Sequence, residues 1–129
     1  MSLPDSWMLP DNTVTVTKIN TEKEKIEGFK HDDDKSPLHL VPMDVMFEIA
    51  DIMKHGAEKY PERNWERGMD WHRPFRACMS HLIKWFWKID DGYGPGIDES
   101  GHSHLYHAAC NILFLCAYQK RNVGNDNRP

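Results

Sequence analysis

Between Asp90 and Asn111 this chain gathers the residue types that hydrolytic chemistry needs. Four acidic residues, Asp90, Asp91, Asp98 and Glu99, lie in or beside a loop rich in glycine and proline, and His102, His104, His107 and Asn111 follow. Apolar spacing predicts a helix over 102–118, on which His104, His107 and Asn111 fall at i, i+3 and i+7 and share one stripe. That stripe borders the apolar face made by Leu105, Ala108, Ala109, Ile112, Leu115 and Cys116, so it looks toward the interior or a cleft. Carboxylates beside inward histidines are the donors of a divalent-metal hydrolytic centre. The plainer alternative is a solvated turn followed by core histidines whose hydrogen bonds are satisfied.

Three amphipathic segments must position these groups. Pro42 begins a helix to about Tyr60, with Val45, Met46, Ile49, Ala50, Ile52, Met53 and Ala57 on one arc and Glu48, Asp51, Lys54, His55 and Glu58 on the other. Glu48 and Lys59 sit at the border of the apolar arc within reach of a cleft; Asp51 and Glu58 point away. Residues 61–73 form an irregular connection with two tryptophans, Trp65 and Trp71, whose rings must be buried against something. Such a loop either packs over helix ends or walls a site for a flat ligand such as a nucleobase, with Asn64 as a hydrogen-bonding reader. Pro74 opens the next helix, which runs to about Ile89. Its apolar arc, from Phe75 to Ile89, is broad enough to predict a central helix or one that meets another subunit.

The rest of the chain sets limits. At 129 residues it makes one domain with a core that needs no disulfide or structural zinc. A formal net charge of −4 gives no electrostatic case for nucleic acid or an anionic membrane. Cys78, Cys110 and Cys116 have no metal-ligand spacing and fall in apolar helical contexts, so reduced thiols and a cytoplasmic location are expected. No signal peptide or transmembrane run is expected either. Residues 1–34 read as a polar arm, with a short strand-like alternation at 13–19 and the acidic run Asp32–Asp34. Residues 35–119 read as an all-α amphipathic bundle, completed by oligomerisation, and 120–129 as a frayed polar tail.

An ordered series of short blocks then resembles a known family. The blocks are Lys35-Ser-Pro-Leu-His-Leu-Val-Pro42, Gly56-Ala-Glu-Lys-Tyr60, Arg63-Asn-Trp-Glu-Arg-Gly68, His81-Leu-Ile-Lys-Trp85, Asp98-Glu-Ser-Gly101 and His104-Leu-Tyr-His-Ala-Ala-Cys-Asn111. Together they resemble the phage and bacterial dATP/dGTP diphosphohydrolase N-terminal family, related to the MazG-like all-α pyrophosphohydrolases. The resemblance implies an all-α oligomer, a dimer or tetramer. It also implies Mg2+-dependent cleavage of a purine nucleoside triphosphate to monophosphate and pyrophosphate, with Mn2+ as the alternative metal. Two departures stand out. No ExxE pair occupies the central helix, and Asp90-Asp91-Gly92 stands where a Gly-Glu is expected. The expected metal set is therefore Asp90, Asp91, Asp98 and Glu99, assisted by histidine. His104 and His107 are candidates for proton transfer, and Lys59, with Lys35, for the triphosphate. Tyr60, Asn64, Trp65, His81 and Asn111 are candidates for the rest of the nucleotide. Two other readings compete: an HD-type phosphohydrolase, against which the only His-Asp dipeptide, His31-Asp32, lies in a polar loop, and a nucleotide-binding module without turnover.

Overall fold

In the computed structural model of this chain, the described residues are 28–31 and 33–129. The chain divides into two units, Met1–Leu38 and His39–Pro129. Of the first, Phe29 meets His31 edge-on with ring centroids 4.4 Å apart, and Lys35 is exposed. The strand-like stretch at 13–19 and most of the expected arm lie outside the described residues.

The second unit is built from three helices, α1 (Met43–Lys59), α2 (His72–Phe86) and α3 (His104–Arg121). The fold is all-α, and no strand occurs among the described residues. The central place belongs to α3, which packs against both α1 and α2. Ile49 and Ile52 of α1 are buried with Cys110 of α3, and Val45, Met46, Met53, Tyr106, Leu113 and Phe114 close around them. On α1 this is the seam that the sequence pattern predicts; on α3 the buried line runs through Tyr106, Cys110, Leu113 and Phe114, and of the expected face Ile112 and Cys116 are exposed.

Each boundary has a local cause. Pro74 sits in the first turn of α2, where its missing N–H would be unpaired in any case. The expected end at Ile89 moves back to Phe86 because Lys88 adopts φ 53°, and Lys88 and Ile89 return their N–H groups to Trp85 O and Lys84 O at 3.2 and 3.0 Å. Those two bonds form a Schellman ending with lysine in the left-handed position. Ser103 caps α3 by accepting from Leu105 N at 3.1 Å. At the other end Asn122 turns left-handed, and Val123 N donates to Tyr118 O at 3.0 Å.

The tail corrects the expectation of fraying. Asn125 N donates to Met69 O (3.2 Å), Trp71 N donates to Asn125 O (3.0 Å), and the Trp71 indole N–H donates to Val123 O (2.9 Å). Arg128 lies over the Trp71 ring, 5.2 Å from its centroid. The contact requires two glycines. A Cβ on Gly124 (φ 81°) would stand 2.5 Å from Met69 O, and one on Gly68 (φ 89°) would stand 2.7 Å from Gly124 N. The indole of Trp71 is thereby buried and hydrogen-bonded, and the loop before α2 is held in place.

Candidate functional site

A cleft of about 1180 Å³ opens between the end of α1, the 61–69 connection and the facing sides of α2 and α3. Lys59, Tyr60, Asn64, Trp65, His81, Asp98, Glu99, His107 and Asn111 all line it. These sequence-predicted residues are therefore brought together. Asp90 and Asp91 are outside the lining, as is His104, and Lys35 belongs to the other unit.

The loop between α2 and α3 decides how the acids are presented. Asp90 Oδ1 accepts from Gly92 N (2.8 Å) and Gly94 N (3.1 Å), so it shapes its own turn. Further on, Asp98 N donates to His102 O and His104 N to Gly96 O, both at 2.9 Å, which folds 96–104 into a tight loop at the start of α3. Asp98 is thereby set against His107. Its Oδ1 accepts from Ser100 N at 2.9 Å and lies 3.2 Å from His107 Nε2, while Ser100 Oγ is 2.8 Å from the same nitrogen. Burial pushes the Asp98 carboxyl up, but the Ser100 N–H and the His107 imidazole outweigh it, and the group stays below its usual range.

Three imidazoles form the centre of the site. His81 of α2 stacks on His107 of α3 with centroids 4.8 Å apart and planes at 17°. Its Nδ1 is 2.8 Å from Nδ1 of His104, whose residue is 1% exposed. His104 Nε2 faces Asp91 Oδ2 at 3.2 Å, and Lys84 donates to that oxygen at 3.1 Å. The Lys84 bond leads in holding the Asp91 carboxyl below its ordinary value. Burial, then the charges of His107 and His104, drive His81 down to about 4. Burial also lowers His107, against the pull of Asp98. His81 and His107 are therefore neutral near pH 7.

The four expected acids do not converge. Asp90 caps a turn, Asp91 backs His104, Asp98 orients His107, and Glu99 pairs with Lys59. Among the described residues, two groups bring three metal-ligand atoms within 4.8 Å of one another: His81, Asp98 and His104; and Glu48, Asp51 and His102. Asp51, expected to point away, thus joins Glu48 beside His102, whose Nδ1 is 3.0 Å from Glu48 Oε2. The Trp65 ring is not a bare platform. Phe114 stacks on it at 4.5 Å and 20°, and Arg121 lies 5.7 Å from its centroid. Asn111 donates from Nδ2 to His107 O at 2.9 Å, which leaves its amide oxygen and its second N–H for a ligand.

Against this geometry, comparison with known proteins is decisive. The family model described as dATP/dGTP diphosphohydrolase, N-terminal, matches residues 25–128. The chain belongs to this family. A dATP/dGTP diphosphohydrolase of Salmonella phage PMBT28 is 29% identical over 101 residues, which cover 78% of this chain and 33% of that protein. The chain thus spans about a third of the length of that curated relative. No solved structure matches. In this family member, blocks far apart in sequence meet at one cleft, since Lys59-Tyr60, Asn64-Trp65, His81, Asp98-Glu99, His107 and Asn111 all reach it.

Several participants escaped the sequence reading. Arg67 and Arg73 line the cleft, and Ser100 and Lys84 hold the histidine–aspartate pairs. Ser100 had a signal in its place beside the acidic pair. The two arginines had none, because it is the path of the chain through 61–73, not a local pattern, that brings these exposed side chains to the cleft.

Proposed function

We propose that this cleft hydrolyses purine deoxynucleoside triphosphates to the monophosphate and pyrophosphate. The observation that carries the reading is the joining of a neutral, carboxylate-oriented imidazole to a set of cations in a single cleft: His107 with Asp98, and Lys59, Arg67 and Arg73. Support also comes from the family and from the Salmonella phage relative, a dATP/dGTP diphosphohydrolase.

The residues suggest a division of labour. The arginines neutralise phosphate charge that would repel a nucleophile, with bidentate geometry suited to phosphate oxygens. Lys59 joins them by exchanging Glu99 for phosphate; in the free protein the Glu99 hydrogen bond and charge raise the lysine pKa. His107 with its proton on Nε2, donated toward Asp98 and Ser100, keeps a lone pair on Nδ1 to take a proton from water attacking the α-phosphorus. Asn64 and the Asn111 amide oxygen offer polar contacts for base or sugar. An all-oxygen magnesium centre from Asp90, Asp91, Asp98 and Glu99 does not fit, because three of these carboxylates are engaged elsewhere and the donors nearest Asp98 are imidazoles.

Phosphorus NMR of a single reaction with dGTP tests the assignment. The expected products are dGMP and pyrophosphate, with dGTP and dATP turned over faster than dCTP and dTTP. Orthophosphate or triphosphate as the primary product would reject it. Asp98→Asn should lower kcat at least tenfold, about 1.4 kcal/mol of transition-state stabilisation.

A further inference from the structure

We infer that His81, His104 and Asp98 form a binding site for one first-row transition-metal dication, such as Mn2+ or Co2+, that disfavours Mg2+. The inference deepens the reading of the cleft as a hydrolytic centre, but binding is measured without nucleotide, so the two stand or fall separately.

The argument begins with spacing. Two metal–nitrogen bonds of about 2.1 Å at right angles or somewhat wider hold their nitrogens roughly 3.0–3.4 Å apart. The Nδ1 atoms of His81 and His104 are already 2.8 Å apart, and one ring nitrogen of each histidine lies with an Asp98 oxygen in a set of three donors within 4.8 Å of one another. Small rotations therefore separate this arrangement from two imidazoles and one carboxylate on a common ion. That donor set, with remaining positions open to solvent or substrate, suits first-row transition ions and not magnesium, which prefers oxygen. His81 and Asp98 line the cleft, so the open positions face it.

A second, independent observation is the support behind the donors. His104 is buried, and its outward nitrogen meets Asp91, which is itself fixed by Lys84. Carboxylate–histidine pairs of this kind orient metal-bound imidazoles and select the tautomer. With Nε2–H donated to Asp91, a singly protonated His104 ring keeps its lone pair on Nδ1, and His81 Nδ1–H is the donor between the rings. On binding, the ion takes the place of that hydrogen, which moves by way of solvent to His81 Nε2. No net charge is lost from the ring. His107, stacked flat on His81, limits the swing of that ring, and the Ser100 N–H fixes Asp98. The competing group, Glu48, Asp51 and His102, is more open, with Glu48 and Asp51 both reaching solvent.

Calorimetric titration of the metal-free full chain with MnCl2 tests this, paired with proton NMR of its histidine rings. One Mn2+ should bind per chain, and a hundredfold excess of Mg2+ should not displace it. Paramagnetic broadening should strike His81 and His104 before His102. His81→Gln and Asp98→Asn should each weaken binding at least tenfold, and Asp91→Asn by about 10- to 100-fold through its hold on His104. Displacement by comparable Mg2+, first broadening at His102, or absence of saturable Mn2+ binding would each overturn the proposal. The broadening pattern is read on the parent protein, so a variant that fails to fold does not remove the test.

Discussion

Cys110 shows how one buried group ties the core to solution conditions. Its thiol lies among Ile49, Ile52 and the α3 residues of the same seam, and burial pushes it up to about 11. The unfolded thiol ionises near its ordinary value of 9.0, so between those values the unfolded chain has released a proton that the folded chain keeps. By linkage, the contribution of Cys110 is complete below pH 9 and is lost as pH climbs toward 11. Burial raises Tyr118 as well, which acts in the same direction. Urea midpoints measured from pH 8 to 11 should fall across that window, and Cys110→Ala should flatten the fall even though it begins from a lower stability. An unchanged slope in that variant would assign the alkaline loss to other groups.

At the level of elements, the clasp between the tail and the 68–71 segment makes a specific demand. Gly124→Ala puts a methyl group 2.5 Å from Met69 O at a φ of 81°, and should cost about 1–3 kcal/mol. Gly56 lies inside α1 with nothing within 4 Å of an added Cβ, so Gly56→Ala should instead be neutral or stabilise by up to about 1 kcal/mol. Chemical denaturation of the pair checks both signs. The same contrast explains what was legible beforehand. Helix existence follows from local periodicity, and Ile49, Ile52 and Ala108 fell on the expected arcs, whereas Cys110 is buried off the expected face of α3, whose Ile112 and Cys116 are exposed. The His104, His107 and Asn111 stripe was legible for the same reason. The docking of the tail depends on two glycines meeting across more than fifty residues, and no local pattern encodes that. The dispersal of the acids was hidden similarly. Gly92, Gly94 and Gly96 all take positive φ, and these turns set where each carboxylate points.

For the molecule as a whole, the unfinished surface is α2. Phe75 is 56% exposed, Phe86 65% and Trp87 67%, with Met79, Leu82 and Ile83 between them and Ile112 exposed on α3. A run of this size and apolar character is larger than an isolated chain ordinarily leaves in water. We propose that a second copy covers it, as expected from the breadth of the apolar arc, giving at least a dimer. Light scattering should return a mass of two or four chains at micromolar concentration, and Ile83→Glu or Phe86→Glu should shift it toward one chain with helical content retained. A monomeric parent protein would refute the arrangement.

The wall around Trp65 has one more consequence. Its ring is stacked on Phe114, its carbonyl accepts the Tyr118 hydroxyl at 2.5 Å, and the segment that follows is clasped by the tail. The connection is thus immobilised during folding, and little rotational freedom remains to be surrendered when a ligand arrives. Capture of a nucleotide against this side of the cleft would be a docking event, with the cost of ordering the wall already met and with selectivity governed by the shape of the opening.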